Sequence, residues 1–232
     1  MKNTVLIIII SLFSINALAQ IDASGGLDEK LSFGLKLGVG SSIISFNDAR
    51  YDQISSNGLG HFSAFLNKPI TNKFALQAGL SYTDRGFSAL EQPSATNPFA
   101  QTMLDLRLFY LEIPINGVFK LPLGKGKVVL GGGPYIGYAL DGSVEKLTTD
   151  FSSSSFIYKE EERKLAYGNK TTDDFKKTDV GFNFLAGYQF RKGWLLNINY
   201  AQGIQNILPK ELITNDEKAI NTALHFCVGY EF

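Results

Sequence analysis

The sequence predicts an all-β chain, an eight-stranded antiparallel up-and-down transmembrane β-barrel with a cleaved N-terminal signal peptide. Three observations carry this. Apolar residues recur with a period of two along successive stretches, the mark of strands with one apolar and one mixed face. The last of these stretches sets Leu224, Phe226, Val228, Tyr230 and Phe232 against Ala223, His225, Cys227, Gly229 and Glu231. Short and long connections alternate along the whole chain, as they do in barrels with tight turns on one side of a membrane.

The N-terminus reads as an export signal. Lys2 gives the positive start, Val5 to Ile15 is apolar apart from Ser11 and Ser14, and Ala17-Leu18-Ala19 is a small-x-small cleavage site. Residues 1–19 are therefore assigned to the signal peptide, 20–30 to a short periplasmic segment and 31–232 to the barrel. The apolar stretch falls short of the ~20 residues a spanning helix needs. A mean hydropathy of +0.01 is compatible with a membrane, because a barrel alternates lipid-facing and lumen-facing residues. Acidic and basic residues balance at 22 each, with no basic clustering that would mark a nucleic-acid partner. Cys227 is the sole cysteine, so no intrachain disulfide exists.

Eight strands follow in order. The first, about Leu31 to Ile43, places Phe33, Leu35, Leu37 and Val39 opposite Gly34, Lys36, Gly38 and Gly40. The second, about Asn57 to Leu66, has Phe62, Ala64 and Leu66 on its apolar side. In the third, about Lys73 to Arg85, Phe74, Leu76, Ala78, Leu80 and Tyr82 oppose Ala75, Gln77, Gly79, Ser81 and Thr83. The fourth, about Leu106 to Phe119, sets Phe109, Leu111, Ile113 and Ile115 against Tyr110, Glu112, Pro114 and Asn116. The fifth, about Lys127 to Leu140, is rich in glycine. The sixth, about Thr178 to Phe190, opposes Val180, Phe182, Phe184, Ala186, Tyr188 and Phe190 to Gly181, Asn183, Leu185, Gly187 and Gln189. The seventh, about Trp194 to Gln202, sets Trp194, Leu196, Ile198 and Tyr200 against Asn197 and Asn199. The eighth runs from about Lys218 to Phe232.

The connections between them span about 13, 6, 20, 7, 37, 3 and 15 residues, and the short ones carry the Pro, Gly and Asn of tight reversals. The longest, Asp141 to Lys177, holds a serine run, Ser152 to Ser155, and a charged stretch, Lys159 to Lys164. Its mixed charge predicts solvent exposure, and part of it is able to extend the strand pair as a hairpin above the membrane.

At the fourth and fifth strands the chain resembles a known family. Tyr110-Leu111-Glu112-Ile113-Pro114-Ile115, then Gly131-Gly132-Gly133-Pro134-Tyr135-Ile136-Gly137-Tyr138, is similar to the PorT-type outer-membrane β-barrel proteins of Bacteroidetes. Asp179-Val180-Gly181-Phe182 and the closing Gly229-Tyr230-Glu231-Phe232 share the likeness, which covers about Leu31 to Phe232. The resemblance implies an eight-stranded barrel in the cell outer membrane. Its best-known member is linked to protein secretion and gliding machinery. The family has no agreed catalytic or binding residues, so none is carried over.

Parity sends Lys36, Gln77, Glu112, Asn183, Gln189, Asn197, Asn199 and Glu231 into the lumen. An eight-stranded barrel is just wide enough for side chains to fill, and a charge inside must be paired or hydrated. The favoured reading is a structural polar network, and the sharper ones are a proton or ion path or a catalytic carboxylate. His225 and Cys227 share a face but lie about 6.5 Å apart along a strand, too far for a Cys-His nucleophile. With His61 they fall short of a recognisable zinc pattern. Gly131-Gly132-Gly133 lacks the Gly-Lys-Ser/Thr of a phosphate loop and reads as relief of crowding. Trp194 and Tyr200 read as membrane anchors. Arg107 has lipid-facing parity, at head-group level unless a bulge turns it inward.

No catalytic, cofactor-binding or metal site and no cofactor is therefore assigned. The expectation is a non-enzymatic outer-membrane barrel with a filled polar lumen and long extracellular loops, structural or secretion-accessory in role. Its partners are outer-membrane lipid and a protein met through loop 141–177. A narrow pore or transporter is the alternative. An outer-membrane enzyme using Asp105, Asp141 or Asp179, and a soluble ligand-binding barrel, come after it.

Overall fold

The computed structural model describes residues 30–46, 51–91, 100–150, 157–212 and 217–232. The signal peptide, the segment before Lys30 and the serine run Ser152 to Ser155 lie outside them. The strands are β1 (Ser32–Phe46), β2 (Tyr51–Pro69), β3 (Phe74–Glu91), β4 (Ala100–Leu123), β5 (Gly126–Asp150), β6 (Ile157–Lys164), β7 (Thr178–Gln189), β8 (Trp194–Gly203) and β9 (Ala219–Glu231). All ladders between them are antiparallel. β1 pairs with both β2 and β9, β4 with β5, and β5 with β7, so eight strands close into a ring. β6 stands outside the ring as a hairpin partner of β5, from Ser143↔Lys164 to Asp150↔Ile157. Closure removes the unpaired edges that an open sheet exposes.

The alternation separates lipid face from lumen. On β1, Leu37 and Val39 are 67% and 72% exposed while Lys36 between its neighbours is 6% exposed. That is the inverse of a soluble protein and the signature of a barrel whose outer solvent is lipid. On β5 the exposed apolar residues Leu130, Ile136, Tyr138 and Leu140 define the band. From Leu130 to Leu140 it fits the ~9–11 residues a tilted strand needs to cross. Trp194 and Tyr200 both face outward, and Trp194 packs edge-on against Tyr230 with ring centroids 5.5 Å apart.

Tight turns at Ile70–Lys73, Gly124–Lys125 and Phe190–Gly193 gather at one end, with the start of β1 and the end of β9. Gly124 (φ 60°) and Gly193 (φ 89°) occupy the left-handed region there, which L side chains rarely adopt.

The strands outrun the predicted ones at the opposite, long-loop end. β4 has 24 residues and β5 has 25, so a sheet of β2 to β6 rises beyond the apolar band. The extension holds because Leu104, Leu106 and Leu108 on β4 and Val144 on β5 continue to find apolar neighbours. β5 slips by one residue where Phe109 pairs with Asp141 but Tyr110 with Ala139. This bulge restores the inward face on β5: Tyr135 and Ala139 are buried below it and Val144 above it. Arg107, on the straight partner strand, stays exposed on the outer face.

Candidate functional site

The lumen is the place where this sequence concentrates polar chemistry, and it is layered. Nearest the short-turn end, Glu231 of β9 accepts from Ser32 Oγ (2.5 Å), Asn67 Nδ2 (3.0 Å) and Gln189 Nε2 (2.9 Å). Lys120 of β4 crosses to the same carboxylate at 2.7 and 2.8 Å. Gln77 then donates to Asn67 Oδ1 at 3.0 Å. The mouth outside this layer is a cavity of about 320 Å³, with Lys73 and Lys127 among its lining residues.

The next layer holds Lys36, whose ammonium rests over the Phe65 ring at 4.6 Å. Beyond it His61 and His225 stack with ring centroids 4.8 Å apart, and His61 Nδ1 lies 3.0 Å from Thr83 Oγ1. Cys227 is buried and its sulfur accepts from Asn199 Nδ2 at 3.3 Å. Among the described residues no group of three or more His, Cys, Asp or Glu is arranged to hold a metal ion.

The third layer is built on Arg85, which is fully buried. Its Nη2 meets Glu112 Oε1 at 2.5 Å and its Nη1 faces Asp179 Oδ2 at 3.7 Å. Asp179 Oδ2 also accepts from Tyr135 Oη (3.0 Å) and Asn221 Nδ2 (2.9 Å). Tyr110 and Tyr135 present their rings to the guanidinium, at 5.8 and 5.4 Å. A cation held this way recovers by pairing and ring contact part of what it loses in leaving water.

Above it an apolar plug closes the long-loop end. Ile44, Phe87, Leu106, Leu108 and Val144 from the strands meet Leu165, Phe175 and Ile207 from the loops. Inward-folded loops therefore seal what an open barrel leaves wet.

Parity placed Lys36, Gln77, Glu112 and Glu231 correctly in the lumen, and Asn183, Gln189, Asn197 and Asn199 share that side of their strands, partly buried. Arg85, Lys120, Asn67, Asn221 and Asp179 were missed. Asp179 is corrected outright: it is fully buried inside the barrel instead of waiting at a loop start for a substrate. Its parity with Gly181 and Asn183 carried that signal. Lys120 and Arg85 also keep the inward parity of their strands, at ends where the alternation reads as finished. The triple glycine is a continuous strand, and at Gly133 a side chain would collide with the Ile115 carbonyl.

Outside the band the loop carries its own order. Arg163 donates to both oxygens of Asp174 at 2.7 Å, and Asp174 Oδ2 also accepts from the Ala166 N–H at 2.9 Å. Partial burial opposes the charged form of Asp174, but these hydrogen bonds and the Arg163 charge outweigh it and hold the carboxyl below its ordinary value. The bond to Asp174 in turn raises Arg163. On β6, Glu161 pairs with Lys159. Charge along an edge strand discourages unwanted strand addition.

Several solved structures are similar to this chain at low identity. The attachment invasion locus protein Ail of Yersinia pestis is 15% identical, with a TM-score of 0.41 over 87% of this chain and 98% of that one. Neisserial surface protein A is 12% identical (TM-score 0.39, 87% and 97% covered). OprG from Pseudomonas aeruginosa is 11% identical (TM-score 0.38, 87% and 95% covered). No curated protein matches the sequence. Residues 18–208 match the family described as outer membrane protein beta-barrel domain, a span covering β1 to β8. The chain belongs to that family, and it is an outer-membrane β-barrel protein.

Proposed function

We propose that this protein is a non-enzymatic outer-membrane barrel that acts through its long-loop end, above all through residues 141–177. The signal peptide is removed after Ala19, the short turns face the periplasm and the long loops face outward. One observation carries the reading. The lumen is filled by side chains, with Arg85 and Lys120 paired to carboxylates, and the apolar plug closes its long-loop end, whereas the sheet of β2 to β6 stands clear of the membrane band and offers the charged strand β6. Chemistry and transport are thus blocked where the polar groups are, and contact is available where the sheet projects. A secretion-accessory role, which the PorT-type resemblance implies, is one form of this reading.

Protease applied to intact cells tests it. Cleavage within 141–177, with the remainder protected in the outer membrane, is expected. Cleavage at Ile70–Lys73 or Phe190–Gly193 instead would reverse the orientation and remove the reading. Replacing the β5–β6 hairpin tip by a short turn should abolish the protein's cellular phenotype while leaving a folded barrel. A narrow pore predicts the opposite dependence, on lumen residues alone.

A further inference from the structure

Lys36 is an anomaly within the lumen. It is 6% exposed, and among the described residues it has no carboxylate within salt-bridge distance and no hydrogen-bond partner. The other two cations described inside the barrel are matched: Arg85 by Glu112 and Asp179, and the partly buried Lys120 by Glu231. Taken together, Lys36, Lys120 and Glu231 therefore carry one uncompensated positive charge. A buried unpaired charge is costly, and low-polarity walls strengthen its attraction for a counter-ion.

Lys36 borders a chamber of about 20 Å³ whose other polar lining includes Asn67, Gln77, Asn197 and Lys120. Phe65, Val129 and Leu185 supply apolar wall. Gln77 Nε2 and Asn197 Nδ2 each spend one hydrogen on a neighbouring amide oxygen and keep a second N–H. Asn67, Lys120 and Glu231 line both this chamber and the larger cavity at the short-turn mouth, where Lys73 and Lys127 add positive charge. We propose that the chamber beside Lys36 is a binding site for a small monovalent anion of the halide class, reached from the short-turn mouth. The volume suits one or two water-sized occupants and excludes phosphate and organic carboxylates. Cations are excluded by the local charge. The site does not depend on the role given to the long loops.

The test uses the refolded barrel in zwitterionic micelles. Chloride-35 resonance broadening should saturate with protein present and be reversed by bromide. It should persist in the Lys73→Gln/Lys127→Gln double variant, which removes only mouth lysines, and vanish in Lys36→Met. Folding of each variant is checked by its mobility before and after heating in SDS. No saturable broadening by wild type, or equal broadening by folded Lys36→Met, overturns the proposal. Should Lys36→Met fail to fold, wild-type crystals soaked in bromide decide: an anomalous peak beside Lys36 Nζ supports the site, and a chamber holding water alone refutes it.

Discussion

Lys120 and Glu231 form an ion pair across the full width of the barrel. Their strands, β4 and β9, lie four places apart in a ring of eight, and the Nζ sits 2.7 Å from one carboxylate oxygen and 2.8 Å from the other. The sheet ladders hold each strand to its neighbours. This pair, with the Asn67 and Gln189 amides, ties opposite walls together and fixes the lumen's diameter at the short-turn end.

Removing one member leaves the other buried and alone. Glu231→Ala should cost about 3 kcal/mol or more of folding stability, by the usual penalty for breaking a buried pair. Glu231→Gln, which keeps some hydrogen bonds, should cost less. Equilibrium unfolding in denaturant and micelles reads both. A loss below about 1 kcal/mol for the alanine variant would mean the pair is solvated.

The Arg85 layer predicts coupling. Arg85→Met alone should destabilise by about 3–5 kcal/mol, because Glu112 and Asp179 lose their cation. Adding Glu112→Leu and Asp179→Asn should recover a large part of it. A double- and triple-variant cycle with additive losses would show that the three side chains act independently.

Lipid-facing parity is tested by charge at depth. Ile136→Arg, inside the apolar band, should cost about 2–4 kcal/mol, while arginine in place of rim residue Trp194 should cost about 1 kcal/mol or less from depth alone. Equal costs would misplace the band. The check is unfolding in lipid vesicles.

The loop clasp predicts a pH dependence confined to acid. Asp174 titrates lower folded than unfolded, so its contribution is complete above its ordinary value near 3.8 and is lost as pH falls through the lower folded value. Hydrogen exchange across residues 163–175 should be flat from pH 8 to about 4.5 after correction for intrinsic rates, and protection should drop below about pH 4. Asp174→Asn should lower protection above about pH 4, by about 1 kcal/mol or less because Arg163 is largely exposed, and the difference from wild type should vanish in stronger acid, where the carboxylate is already protonated.

Cys227 offers a chemical check on the closed lumen. It is buried with its sulfur bound by Asn199. Maleimide should modify it in the heat-unfolded chain and spare it in the folded barrel. Rapid labelling of folded protein would mean the lumen opens.

How much was legible follows from one contrast. Period-two alternation is local, so Leu37, Val39, Ile113 and Ile198 announced the lipid face, and Lys36 and Glu231 the lumen, from sequence alone. Partnership is not local. Nothing in the residues around Lys120 points to Glu231, 111 positions away, and ring closure alone brings them together. Strand ends failed for a different reason. Above the membrane the pattern loses its outer apolar residues yet keeps the inner ones, so β4 and β5 read as loops where they remain ladders. The hairpin formed by β5 and β6 was visible in the charged stretch, whereas inward-folded Leu165, Phe175 and Ile207 were hidden, since an isolated apolar loop residue does not say what it covers.

The slip on β5 at Leu140–Asp141 has a consequence for how such a protein can change. Below it, one added residue would exchange lipid and lumen faces and ruin the strand. Above it, the phase is set afresh, so the length and sequence of the projecting arm can drift without retuning the part that crosses the membrane. The bulge is a joint between a chassis whose register is fixed and an attachment whose register is free.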